Sequence, residues 1–392
     1  MKVYSKIDSI KLRKANKNII DGVLALQGGA FRGVYTSGVL DCLMDNDINL
    51  SDCVGISAGA LNGVNYISGD IGRSAKINLQ YRHDKNWVGY KALKADKGIV
   101  GFSFIFNKIT DKLPFDINRF LSDDRTLYAL ITNLETGDQE YITNHQKDLI
   151  FTAVKASASM PYISSPVKIN DKLYLDGGCK YTSPLRFSLT LNKKIVYVAT
   201  RDVNFRENEE LGFIKRGTSN IYRKYPNFVN SLENINKIHN QDLDTLDKLV
   251  EEGKIFRIAP SKEIHISRFE GDMEKLGSLY ELGYSDAKKL IPELKRFLNM
   301  DSDRLVKGGI YHHFKGKYYQ VLDVAKDSEY DKQVIIYRSL DDEKLLWTRE
   351  KEHFLGLVDK QKYPLVEQYY RFDLIEDEKI IKNLEKYIDK SI

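Results

Sequence analysis

The chain has 392 residues, 42% of them hydrophobic and 29% charged, with 60 Lys and Arg against 55 Asp and Glu for a net charge of +5. This length exceeds one average domain and fits two, with a sizeable core in the larger. The weak basic excess is spread along the chain: it is compatible with peripheral contact with an anionic membrane, reads more simply as a solvated Lys-rich face, and gives no reason to expect nucleic acid as a partner.

Residues 1–20 form a polar N-terminal extension that opens on Met1, Lys2 and Val3 with no apolar leader segment, so no signal peptide is expected. Val23 to Leu26 reads as a buried parallel strand, followed by a glycine-rich loop, Gly28-Gly29-Ala30-Phe31-Arg32-Gly33. Val34, Leu40, Leu43 and Met44 then sit at helical spacing. A short segment into Cys53-Val54-Gly55 leads to Ser57, and a helix starts near Ala58. The run from Gly98 to Phe106 is the longest apolar stretch, well short of the roughly 18 residues that span a bilayer. It is either an acyl-chain wall or lid, or a core element. The chain is therefore expected to be cytoplasmic, at most peripheral to a membrane.

Leu127 to Leu134 reads as a strand with Gln139 to Thr143 as its antiparallel neighbour. Phe151 to Ala158 reads as a helix stopping at Pro161, and Lys172 to Leu175 as a strand delivering Asp176. Lys194 to Ala199 is another buried strand, and Tyr225 to Gly253 a long polar helix whose apolar stripe faces the core or, less simply, a membrane. A strand (Ile255 to Ile258) and a helix (Asp272 to Leu298) close a first domain expected over residues 21–300. Alternating strands and helices imply an α/β layer fold around a largely parallel sheet. After about Asp303 the segments Tyr318 to Val324, Gln333 to Ser339 and Leu345 to Arg349 predict a small β-rich domain over 305–375, a barrel or meander, followed by a C-terminal helix from 376.

Gly55-Ile56-Ser57-Ala58-Gly59 has the G-x-S-x-G spacing of a nucleophile elbow, in which a serine is presented between a strand and a helix N-terminus. The loop from Gly28 to Gly33 lacks the Lys-Ser/Thr of a phosphate-binding P-loop and has Ala30 where a dinucleotide fingerprint needs glycine. It fits best as an oxyanion hole built from the amides of Gly28, Gly29 and Ala30. The alanine methyl is tolerated if φ there is negative. A serine needs a base. Among the seven histidines (His83, His145, His239, His265, His312, His313 and His353) none has a triad context. Asp176, followed by Gly177 and Gly178, is either a base acting directly on Ser57 or a plain turn. Cys42, Cys53 and Cys179 have no metal-ligand spacing and read as small buried hydrophobes in a reducing compartment. No acidic loop suggests calcium, and neither metal nor cofactor is expected.

Four motifs in order, Gly28 to Gly33, Gly55 to Gly59, Ala156-Ser157-Ala158-Ser159-Met160-Pro161 and Asp176-Gly177-Gly178, resemble the landmarks GGGxRG, G-x-S-x-G, ASxxxP and DG[GA] of the patatin-like phospholipase family. The resemblance covers roughly residues 20–290 and implies a three-layer α/β/α fold. It also implies a Ser57–Asp176 dyad without histidine, an oxyanion hole around Gly28 and Gly29, and hydrolysis of phospholipid or other lipid acyl esters. Arg32, Gly33, Gly55, Gly59, Gly177 and Gly178 belong to its motifs. Residues from about Gly308 to Asp373 are similar to a small bacterial domain of unknown function, which implies a bacterial source and a compact β fold. There, adjacent His312 and His313 alternate faces and do not suit a paired metal site. Tyr311, Phe314, Tyr318, Tyr319 and Trp347 line a groove or pack a core. The leading expectation is a serine acyl-ester hydrolase. The alternatives are a lipid- or partner-binding module on the same fold and, less fitting, a nucleotide-binding enzyme.

Overall fold

The computed structural model describes residues 2–98, 100–209, 221–300, 305–359, 362–368, 370–375 and 377–390. Ile99 of the apolar run, Asp303 at the expected domain change and Glu376 at the expected helix start lie outside the described residues. The chain divides into two units, Met1–Ile291 and Pro292–Ile392.

In the first unit the strands are β1 (Ile20–Leu26), β2 (Leu50–Ile56), β3 (Thr126–Asn133), β4 (Gln139–Thr143), β5 (Val167–Ile169), β6 (Lys172–Asp176), β7 (Ile195–Val198) and β8 (Ile255–Ile258). They form one eight-stranded sheet in the order β8-β7-β1-β2-β3-β6-β5, with β4 pairing β3 off that path. Pairing is parallel from β8 to β3 and antiparallel where β3 meets β4 and β6 and where β6 meets β5. The sheet is thus mixed rather than largely parallel beyond β3: short connections make hairpins of β3–β4 and β5–β6, and β6 also runs antiparallel to β3.

Val23, Leu24, Ala25 and Leu26 are all fully buried, as expected of a strand covered on both faces. Alternate residues serve opposite layers. Val23, Ala25, Val54, Ile56 and Tyr197 pack with Leu246 of the long helix Pro226–Glu251. On the other face α1 (Gly33–Asp45) and α2 (Ala58–Ser68) follow directly from β1 and β2. A Cβ on Gly63 of α2 would come within 3.0 Å of Cys53 Sγ, so this helix lies tightly on β2. The result is a three-layer α/β/α unit. Helices α3 (Arg73–Tyr81), α4 (Tyr90–Asp96) and α5 (Ile150–Ser157) follow in the chain. The N-terminal segment belongs to the same body, since Tyr4 is buried and donates to Glu281 Oε1 at 2.7 Å, and Arg13–Lys14 pairs antiparallel with Asp70–Ile71.

The second unit is a five-stranded antiparallel sheet. Strands β9 (Ile310–His313), β10 (Tyr318–Lys326), β11 (Gln333–Ser339) and β12 (Leu346–Glu350) form a meander, and β13 (Phe372–Leu374) returns to pair with β9. Its core contains Tyr311, Val321, Ile335 and Tyr337, with Phe354 and Phe372 stacked at 4.0 Å. Tyr311 is a core residue and Tyr319 packs against that core, whereas Trp347 stands exposed on β12. The closing helix is shorter than expected, Glu378–Leu384, and has no buried residue. Among the described residues no helix is long and apolar enough to cross a membrane.

Candidate active site

Strand register alone brings the three sequence-predicted parts together. Leu26 pairs with Gly55, so Gly28, two residues on, stands level with Ser57. Ile56 pairs with Leu130, and the next residue, Ile131, pairs with Asp176 on the antiparallel β6. Gly28, Ser57 and Asp176 therefore end one row across β1, β2, β3 and β6. A Cβ on Gly28 would lie 3.2 Å from Ser57 Cβ, which confirms how close the loop comes.

Ser57 has φ +55° and ψ −120°, a conformation costly for any residue with a side chain, by about 1–3 kcal/mol. The neighbouring glycines permit it: a Cβ on Gly55 would sit 2.6 Å from Ala60 and one on Gly59 2.3 Å from Leu26 O. The Gly178 N–H donates to Asp176 Oδ1 at 2.8 Å, and the Ser57 side chain is near enough to favour the ionised form of the Asp176 carboxyl. Asp176 is buried, and burial pushes its carboxyl up to about 6 despite the Gly178 bond, the nearby Ser57 side chain and the charge of Arg268. Gly177 presses on the sheet, where a Cβ would strike Leu130 O at 2.1 Å. Thr132 Oγ1 donates to Asp176 O at 2.9 Å, so the loop is held from both sides. Asp-Gly-Gly here is a fixed loop carrying a buried carboxylate against Ser57, not a solvent turn.

Beside them the loop after β1 turns through Ala30–Arg32, and among the described residues no group accepts the amides of Gly28, Gly29 and Ala30. Ala30 has φ +50°, so the condition of a negative φ under which its methyl is easily tolerated is not met: the tight turn into α1 places a left-handed residue at the third loop position. Gly33 opens α1. Arg32 lies against the loop with a buried Nε that has no hydrogen-bond acceptor among the described residues. Its guanidinium is pushed down to about 10, by burial first and then by the charges of Arg201 and Arg268. These three arginines make the surroundings of the loop positive.

Ser57 opens into a cavity of about 80 Å³ whose walls include Leu61, Ile77, Trp87, Val100 and Ile105, with Arg268 and Phe269 at its edge. Of the apolar run, Phe102, Phe104 and Ile105 are buried, so the segment is a packed wall of this cavity. Arg73, fully buried, anchors it by donating to the carbonyls of Ile105 at 2.6 Å and Leu113 at 3.1 Å.

Three contributors were not predicted from the sequence. The Ser57 N–H donates to Ser157 Oγ at 2.9 Å, Thr200 Oγ1 donates to Gly28 O at 2.8 Å, and Arg268 reaches the cavity from a distant loop. Only Ser157 had a signal, its place in the ASxxxP segment. No histidine among the described residues lines the cavity. His239 instead bonds Thr182 Oγ1 at 2.5 Å, and burial pushes its imidazole down to about 4. The three cysteines are buried free thiols, that of Cys53 pushed up to about 12 by burial.

Residues 24–188 match the family model described as patatin-like phospholipase. The chain carries a patatin-like phospholipase domain. That domain is an acyl-hydrolase domain, and it contains Ser57, Asp176 and the loop from Gly28 to Gly33. Beyond the patatin-like segment, residues 225–299 match a domain of unknown function (DUF6363) and residues 309–374 a protein of unknown function (DUF1653). The chain is 23% identical over 274 residues to the uncharacterized protein YjjU of Escherichia coli (strain K12), covering 66% of this chain and 74% of that one. It is 26% identical over 214 residues to the probable lipid hydrolase 463L of Invertebrate iridescent virus 6, covering 47% of this chain and 72% of that one. A match to the uncharacterized protein R571 of Acanthamoeba polyphaga mimivirus has 24% identity over 306 residues, 69% of this chain and 94% of that one. Among solved structures, VipD from Legionella pneumophila aligns over 72% of this chain and 68% of its own, with 14% identity and a TM-score of 0.38.

Proposed function

We propose that the protein is a serine hydrolase of lipid acyl esters, working through a Ser57–Asp176 dyad over a hydrolase domain of about residues 21–300. The observation that carries this reading is Ser57 in one row across the sheet with the buried Asp176 carboxyl, level with a loop whose amides have no acceptor among the described residues. Asp176 takes the hydroxyl proton as Ser57 Oγ forms a bond to the ester carbonyl carbon. The carbonyl electrons move onto oxygen, and the amides of Gly28 and Gly29, with that of Ala30 turned by its left-handed φ, hold the oxyanion. Collapse breaks the ester C–O bond, and the proton on Asp176 goes to the leaving alkoxide. Water, deprotonated by Asp176, then attacks the acyl-Ser57 carbonyl carbon; collapse breaks the bond from that carbon to Ser57 Oγ, the proton on Asp176 returns to Oγ, and the fatty acid leaves. The positive charge of Arg32, Arg201 and Arg268 favours the anionic transition states without touching the proton path. An apolar cavity opening at Ser57 suits the acyl chain.

The test is release of fatty acid from mixed phospholipid vesicles, quantified by mass spectrometry. Ser57→Ala and Asp176→Asn should each lose at least about 10³-fold with circular dichroism unchanged. A fully active Ser57→Ala would refute the reading.

A further inference from the structure

Three chain segments that carry exposed apolar side chains also contribute lining residues to the cavity. The loop before α4 supplies Trp87 and Val88, the segment after α5 supplies Met160, and a third loop supplies Arg268 and Phe269. They are tied to one another. Arg82 donates to Glu270 O at 2.5 Å and Phe269 O at 2.7 Å, while Ser165 N–H donates to Lys97 O at 3.0 Å.

Each segment exposes large apolar side chains: Tyr90 is 61% and Leu93 49% exposed, Tyr162 45%, Ile163 38% and Phe269 39%. Helix α4 makes the pattern explicit. Ala92 and Asp96, four apart, are buried, whereas Tyr90, Leu93, Lys94 and Lys97 share the outward face. Lys91, Lys94 and Lys97 are exposed and form no ion pair with a described residue. The nearby carboxylates are engaged locally. Asp96 accepts from Ser103 Oγ at 2.6 Å and lies 3.7 Å from Lys155 Nζ; Asp84 accepts from Asn86; and Glu270 accepts the amides of Gly271 and Asp272. The rim therefore offers apolar side chains flanked by unpaired ammonium groups. This is the composition that lies in an acyl–headgroup boundary and attracts anionic lipids, not that of an ordinary solvated surface.

We propose that this rim is a docking surface for an anionic phospholipid bilayer, with Tyr90, Leu93, Tyr162 and Ile163 entering the interface and Lys91, Lys94 and Lys97 meeting lipid phosphates. The proposal rests on the hydrolase reading in one respect, that the acyl ester enters the cavity directly from the bilayer. Because the same segments contribute to the cavity lining, entry without crossing water is possible.

The test uses the full chain carrying Ser57→Ala, sedimented with vesicles of phosphatidylcholine alone or mixed with phosphatidylglycerol. Binding is expected to the mixed vesicles and to weaken with added salt. The pair Lys91→Glu and Lys94→Glu should weaken it at least about tenfold, and so should Leu93→Ser with Ile163→Ser. Equal binding to neutral and mixed vesicles, no binding to either, or unchanged binding by both double variants would overturn the proposal. With Ser57 restored, the same variants should hydrolyse a soluble short-chain ester at the parental rate, which establishes that they fold. If one pair unfolds the chain, the other decides. A parent that binds mixed vesicles yet hydrolyses no ester would refute the hydrolase reading and leave the docking surface standing.

Discussion

The carboxyl of Asp176 is held near 6 by burial, while the Gly178 amide and the nearby Ser57 side chain pull the other way. On the proposed mechanism it works only when ionised, so turnover should fall about tenfold per pH unit below 6 and level off above, as a profile of kcat/KM would record. Linkage gives the matching stability effect. The folded pKa lies above the ordinary 3.8, so this group's contribution is fully present below that value and is lost as pH rises through about 6. The ionised carboxylate then costs about 3 kcal/mol at neutral pH. Asp176→Asn, inactive, should melt at higher temperature than the parent at pH 8 and gain little at pH 4. Ser157→Ala should leave the Ser57 amide without its acceptor, costing about 1–2 kcal/mol in denaturant titration and slowing the acyl-transfer step. Ser57, Asp176 and the glycine loop were legible in the sequence because elbow and loop chemistry restrict which residue types fit. Ser157, Thr200 and Arg268 were not assigned roles, because their parts are created by strands and loops a hundred or more residues away. The sign of φ at Ala30 was left as a condition, since a turn's handedness depends on where the next helix must go.

Among the elements, the wall from Val100 to Leu113 depends on one buried cation. Arg73 donates to Leu113 O, Ile105 O and Asn65 Oδ1, with no carboxylate among the described residues bonded to it, and its guanidinium faces the Phe115 ring at 5.0 Å. Arg73→Met should leave buried carbonyls without donors and cost about 3 kcal/mol. It should also broaden acyl-chain preference in a series of esters of increasing length, because the wall loses its anchor. The strands were easily read from runs such as Val23 to Leu26 and Ile195 to Val198, which are apolar because both faces are covered. The antiparallel pairing of β4 with β3 was legible from the short connection between them, whereas that of β6 with β3 was not, because it joins strands far apart in the chain. The last helix illustrates the opposite limit. Asp377 fixes its start by accepting the amides of Lys379 and Ile380, but no residue of Glu378–Leu384 is buried, so nothing extends it to the predicted length.

For the whole molecule, every residue of the candidate site belongs to the unit Met1–Ile291. A chain ending at Asn299 should therefore hydrolyse a soluble ester within a few fold of the full-length rate, and a loss beyond tenfold would assign the remainder a part in the chemistry. The row of Gly28, Ser57 and Asp176 has a practical corollary. Each lies on or just beyond a different strand end, and a slip of one residue in any strand turns its side chains to the opposite layer. A misregistered sheet can keep its secondary structure and its core while separating nucleophile from carboxylate. Covalent labelling of Ser57 by a fluorophosphonate would then count correctly threaded molecules one by one, and the labelled fraction of a refolded or mutant preparation becomes a direct readout of sheet register that spectroscopy of the backbone does not provide.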